Sequence, residues 1–299
     1  MITFLWYNLI GGNMNYIEEF LNYIKYEKRF SNHTIINYQK DLLDFQDYIN
    51  KNINNIEIND IRNYLKELYN KKYTNSTISR KVSTLKSFFK YLESEDKIKK
   101  NPMLLISNPK KEKKLPTFLN YNDLDKLLNT PNLNTQEGKR DALIMEMLYS
   151  TGIRVSELVN IKLKDINQSD QTIIILGKGN KERYVYYGSK CKELLDLYLK
   201  DNQTNEYLFT NKHNNKLNDR MVRMILEKNT RLAGLKVRVT PHTLRHTYAT
   251  HMLNEGADLK SVGDLLGHEN LSTTQIYTHV SNERLRNVYL NTHPRGKKR

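Results

Sequence analysis

A single cysteine, Cys191, stands among 299 residues, which excludes an internal disulfide framework and any zinc site built on cysteine, since each needs several sulfurs. The chain reads as intracellular. Long apolar runs are missing too: nothing approaches the roughly 20 residues needed to cross a bilayer, and the best candidate, Phe4 to Ile10, is broken by Asn8. That stretch also lacks the basic start and small-residue cleavage site of a secretory signal. No membrane attachment and a cytoplasmic location are expected. Met14 follows, directly before a polar helix-like run, and we expect it to be the true start. Acidic residues are scarce, 33 against 48 Lys and Arg, for a formal charge of +15, so the surface is cationic and the expected partner is an anion. Hydrophobic residues at 38% and aromatics at 10% still supply buried cores despite a mean hydropathy of −0.72. Wholesale disorder is excluded.

The excess charge is not a tail. Residues 1–115 carry 20 basic against 13 acidic side chains, and the remainder 28 against 20. A polyanion gripped from two sides fits this distribution, because each neutralised phosphate releases counterions. Proline and glycine, only 6 and 12 in number, give the boundary signals, asparagine being too abundant here to mark turns. Pro102, Pro109 and Pro116 surround the run KKEKK, a composition that neither continues a helix nor builds a core. We therefore expect a helical N-terminal domain over 14–106, a basic linker over 107–116 and a second domain over 117–299.

In the first half, Ser31 opens a helix in which Ile35, Tyr38, Leu42, Phe45 and Ile49 share one face. A second helix runs through Ile61, Tyr64, Leu65 and Leu68, and a third turns Ile78, Val82, Leu85, Phe89 and Leu92 inward. Arg80, Lys81, Lys86 and Lys90 are interleaved with this last stripe, as a DNA-facing basic surface or as ordinary solvated flanks. The second half reads as helices near 121–129 and 138–150, a turn at Gly152, a hairpin over 172–187 around a Gly-rich turn, and helices near 190–200 and 217–233. Thr240-Pro241 then provides an N-cap and an N1 proline, and helix follows to Tyr289 with breaks at Gly256 and Gly267. The fold class is mainly α with a small β-hairpin or sheet.

Certain groups stand out. Arg154 lies in TGIRVSEL between apolar neighbours, where an arginine without an anion or carboxylate is costly; Glu157 is the plain partner. His242 and Arg245 are three apart on one helix, beside the apolar stripe Leu244, Tyr248 and Met252. His242 and His246 are four apart, a zinc spacing, but no acidic residue sits between them, and His246 and His251 are expected to be structural.

The strings TGIRVSEL, LGKGNKER, TPHTLRHTYATHML, LLGH and STTQIYTHV resemble, in this order, those of the tyrosine recombinases, the phage-integrase superfamily. The likeness runs from about Met14 and is nearest to the Xer branch, whose ending is similar to LRNVYLNTHPR. It implies a four-helix SAM-like core-binding domain and an α+β catalytic domain. It assigns Arg154 as the first catalytic arginine, Lys178 as the hairpin lysine, His242 and Arg245 as the H-x-x-R pair, His268 as the next histidine and Tyr277 as the nucleophile. Lys181 competes with Lys178 on physical grounds alone. The implied partners are double-stranded DNA with paired half-sites, a tetramer of this chain alone or with a paralogous recombinase, and a septal DNA translocase. The helix from Asn282 to Leu290 would dock on a neighbour, the plainer alternative being an intramolecular helix. No cofactor and no metal are implied.

The chemistry suits these residue types. Two planar guanidiniums can bind the non-bridging oxygens of a phosphodiester and absorb charge as it develops. A tyrosine with a reference pKa of about 10 is only ~0.1% ionised at neutral pH, so His242 as proton acceptor lowers a cost of roughly 4 kcal/mol. Lys178 would protonate the departing 5′ oxygen. The resulting 3′-phosphotyrosyl bond conserves the energy needed for rejoining. Xer-like resolution of chromosome or plasmid dimers at a dif-like site is expected. The alternatives are a phage or mobile-element integrase and a non-catalytic DNA-binding protein.

Overall fold

A helix starts where the free amides of its first turn find a substitute acceptor, and Ser31 supplies one: its hydroxyl accepts from the Thr34 N–H at 3.3 Å. The helix it opens, α2 (Asn32–Ile49), is accompanied in the N-terminal part by α1 (15–26), α3 (Ile58–Asn70) and α4 (Asn75–Ser94). The computed structural model describes residues 15–110, 117–177, 182–200, 206–211, 213–267 and 282–296. The chain divides into two compact units, 1–114 and 115–299.

In the first unit the expected stripes meet. Leu42 and Phe45 of α2, Ile61, Tyr64 and Leu68 of α3, and Ile78, Val82, Leu85, Phe89 and Leu92 of α4 share one buried core, with Ile35, Tyr38, Ile49 and Leu65 packed at its edge. Phe20 of α1 meets Phe88 edge-on with ring centroids 5.3 Å apart, and Phe45 meets Tyr64 at 5.0 Å. Each such pair adds about 1 kcal/mol beyond the area it buries.

Between α2 and α4 this core also holds charge. The Lys81 side chain is 4% exposed, its ammonium 3.1 Å from Asp41 and 2.7 Å from Asp44. Arg80 also donates to Asp41, and the Thr84 hydroxyl donates to it at 3.1 Å. Lys81 therefore does not belong to an outward basic surface, a correction to the pattern-based expectation. Withdrawing it would leave a buried carboxylate short of a partner, at a cost of about 3 kcal/mol. Lys86 is half-buried and Lys90 exposed.

The second unit is built around α6 (Gln136–Thr151), in which every residue from Asp141 to Thr151 is buried. Its two buried carboxylates are ion-paired, Asp141 with Arg140 at 2.8 Å and Glu146 with Arg295 at 3.1 Å. Around it stand α5 (Tyr121–Leu128), α7 (Val155–Leu158), α8 (Ser189–Leu199), α9 (Asp219–Leu232), α10 (Pro241–Asn254), α11 (Leu259–Leu266) and α12 (Asn282–Thr292). One antiparallel sheet, in the order β1 (Ile166–Asn167), β2 (Thr172–Leu176), β3 (Glu182–Tyr186), pairs Ile166 with Ile173 and Ile175 with Arg183. The hairpin is the expected one. β1 is an addition, since two residues are too few to show a period.

Thr240 caps α10 by accepting from the Thr243 N–H at 3.1 Å, with Pro241 at N1 as anticipated. α12 lies against its own unit, with Leu285 and Val288 packed at the edge of its apolar cluster. Tyr289, 1% exposed, fills an apolar seat made by Tyr186, Tyr248, Met252, Leu265 and Leu266. Among the described residues no helix is long and apolar enough to cross a membrane.

Candidate active site

α6 ends at Gly152, whose φ of +61° is the left-handed conformation that favours glycine. A Cβ there would also lie 2.8 Å from Leu266 and from Tyr248, so the turn admits glycine alone. Two residues on, Arg154 caps α7. Its backbone N–H donates to Glu157 Oε2 at 2.7 Å and its Nη1 to Oε1 at 3.0 Å. Its Nη2 donates to the carbonyl of Gly267 at 3.1 Å. Two of its five N–H groups are thus used on the side chain's neighbours, and three have no partner among the described residues. The side chain is 37% exposed, so they are reachable.

Arg245 holds the same turn from beneath. From the fifth position of α10 its Nη1 reaches the carbonyl of Gly152 at 2.6 Å and its Nη2 that of Leu266 at 2.7 Å. The two arginines therefore grip consecutive carbonyls, Leu266 and Gly267, at the C-terminal end of α11. Burial pushes the Arg245 guanidinium down to about 10, with repulsion from Arg154 adding to the shift and Glu157 opposing it. It stays charged at neutral pH. A buried cation that remains protonated is poised for an anion.

Glu157 is the hub. Besides Arg154 it accepts from Arg183 of β3, Nη1 to Oε1 and Nη2 to Oε2, both at 2.9 Å. Burial alone would raise its carboxyl, but the hydrogen bonds and charge of Arg183, then the backbone and side-chain hydrogen bonds of Arg154, more than offset this and hold it below the usual carboxylate range. Two guanidiniums are thus bonded to one carboxylate, and a third, Arg245, feels its charge, which leaves the cluster positive. Arg183 was not singled out from sequence. It closes the string LGKGNKER, but only strand register and folding reveal that it meets a carboxylate 26 residues earlier.

His242 is exposed in the first turn of α10, three residues before Arg245. His251 spends both ring nitrogens inside the unit, Nδ1 with the Tyr149 hydroxyl and Nε2 with the Leu119 carbonyl, each at 3.0 Å. That is a structural role and removes it from any zinc set. Lys178 with its rival Lys181, His268 and Tyr277 lie outside the described residues. Gly267, whose carbonyl Arg154 holds, immediately precedes His268 in the chain.

The model of the phage integrase family matches residues 117–284, and that of the phage integrase N-terminal SAM-like domain matches residues 17–96. Tyrosine recombinase XerC of Staphylococcus carnosus is 45% identical over 294 residues, covering 95% of this chain and 99% of the relative. Among solved structures, the XerH site-specific recombinase bound to palindromic difH substrate, a post-cleavage complex, superposes with a TM-score of 0.68 at 27% identity, over 85% of this chain and 78% of that one. A lambda integrase dimer bound to a core site shares the fold, with a TM-score of 0.71 at 19% identity over 89% and 98%.

Proposed function

The chain belongs to the phage integrase family, and from that premise we infer that it is a Xer-like tyrosine recombinase that cuts and rejoins DNA at paired half-sites. The observation that carries this reading is the positive cluster in which Arg154 and Arg183 share Glu157 while Arg154 and Arg245 grip adjacent carbonyls. Such a rigid group of donors is preorganised for the charge that develops on a phosphoryl oxygen in the transition state. Arg154 and Arg245 would bind the two non-bridging oxygens. The Tyr277 oxygen would attack phosphorus, its proton passing to His242, while the 5′ oxygen leaves with a proton from Lys178. His268 would hydrogen-bond the phosphate. A 5′ hydroxyl from the partner strand then attacks the 3′-phosphotyrosyl bond and returns the phenol.

The task we propose is resolution of chromosome or plasmid dimers at a dif-like site, which the names of the relatives support over phage or mobile-element integration. In this reading 14–106 is the core-binding domain, 107–116 the linker and 117–299 the catalytic domain. The active form is a tetramer on DNA, of this chain alone or with a paralogue, with a septal translocase as regulator. The test is a nicked suicide substrate carrying the target site. Wild-type protein should form a 3′-linked covalent adduct, and Tyr277→Phe should bind the DNA without forming one. An adduct that persists in Tyr277→Phe would refute the assignment.

A further inference from the structure

Arg183 has no assigned part in the reaction, yet it links β3 to Glu157 and to the turn at Gly267. It is the second residue of β3 and pairs with Ile175 across the ladder, next to the Leu176–Glu182 pair that closes the described part of the hairpin. Its side chain is 18% exposed. Both Nη atoms are committed to Glu157, one to each oxygen, in the parallel two-bond geometry that fixes a guanidinium and a carboxylate in one plane. Its remaining donor, Nε, is buried without a partner among the described residues.

On its other side the guanidinium lies against Gly267. A Cβ built there would be 3.1 Å from Arg183 Nε and 3.2 Å from Cζ. Gly267, at φ +66°, is therefore both the left-handed end of α11 and the bare surface on which Arg183 rests. One side chain thus ties three pieces together: the base of the hairpin, the Arg154–Glu157 platform, and the turn that leads toward His268. Stability gives no reason for this choice, since a buried ion pair is on average no better than apolar packing of the same volume. Geometry does: a planar fork fixes a distance and an orientation that a lysine or an apolar residue cannot.

We propose that Arg183 is a positioning residue for DNA cleavage, clamping the hairpin to the Arg154–Glu157 platform so that the hairpin lysine meets the departing 5′ oxygen. This rests on the assignment of Lys178 as general acid. Arg183 touches no reacting atom in this role and acts through the hairpin.

The test separates leaving-group protonation from everything else at the site. Full-length wild type, Arg183→Ala, Arg183→Lys, Lys178→Ala and Arg154→Ala are compared on two suicide substrates, one with the natural 5′ bridging oxygen at the scissile phosphate and one with sulfur there. A thiolate leaves without needing a proton, because its conjugate acid is far stronger than an alcohol. On the oxygen substrate, Arg183→Ala should cleave about 100-fold more slowly than wild type, the loss expected from an ångström-scale misplacement, while DNA binding is retained. Sulfur should bring Arg183→Ala and Lys178→Ala back to within about tenfold of wild type, and leave Arg154→Ala slow. Arg183→Lys, which keeps the charge but only one of two bonds, should fall between, and it carries the comparison if the alanine variant does not fold. Arg183→Ala that stays slow on sulfur while Lys178→Ala recovers would overturn the proposal and leave the general-acid reading intact. Failure of Lys178→Ala to recover would remove that reading and the proposal with it.

Discussion

Gly267 tests what a single residue contributes. Any side chain there must adopt a left-handed backbone, at roughly 1–2 kcal/mol, and must also push against the Arg183 guanidinium. Gly256 has the same backbone problem, with φ +91°, but nothing lies within 4 Å of its Cβ position. Gly267→Ala and Gly256→Ala should therefore both lower the melting temperature, while only Gly267→Ala slows cleavage of a suicide substrate, by about tenfold or more. Equal cleavage by the two variants would show that contact with Arg183 is immaterial. At this scale Arg154 and Arg245 were legible in the chain, because an arginine among apolar neighbours and a three-residue spacing on a helix are local signals. Arg183 was not, since its partner is set by β-sheet register. Lys81 was misread for a related reason: helical interleaving placed it on a flank, and only the approach of α2 brought Asp41 and Asp44 to it.

Among the elements, α12 and the turn after it depend on an uncharged histidine. His293 is fully buried, with the rings of Tyr149, Tyr248 and Tyr289 centred 4.9 to 5.0 Å from its own. Burial, helped by the charge of Arg295 and by His251, pushes it down to about 3. The folded state binds this proton less readily than the unfolded chain, whose histidine titrates near 6.5. The stability it contributes is therefore complete above about pH 6.5 and lost as pH falls toward 3, amounting to about 2 kcal/mol by pH 5. Urea denaturation at pH 7.5 and pH 5.0 should show this loss in the catalytic unit, and His293→Phe should reduce it. An unchanged difference in the variant would exclude His293 as its source. The helices of the N-terminal unit were readable as apolar stripes, and α10 from its Thr-Pro start. The seat of α12 was not, because Tyr186, Tyr248 and Leu265 come from three separate elements.

Over the whole molecule the positive charge falls into two kinds. The excess of +15, spread over both halves of the chain, suits the phosphate backbone of DNA, and binding should weaken with salt. The cluster around Glu157 is small, fixed and partly buried, and its proposed task is the chemistry, with little share in affinity. The direct measurement uses Arg154→Ala on two suicide substrates, one with the natural scissile phosphate and one in which a methyl group replaces a non-bridging oxygen and removes its charge. If Arg154 stabilises charge on that oxygen, the variant should bind both DNAs as wild type does, fail on the phosphate, and cleave the neutral linkage at least about tenfold faster than the phosphate. No gain on the neutral linkage, with binding intact, would contradict the view that these guanidiniums act on the charge of the scissile phosphate.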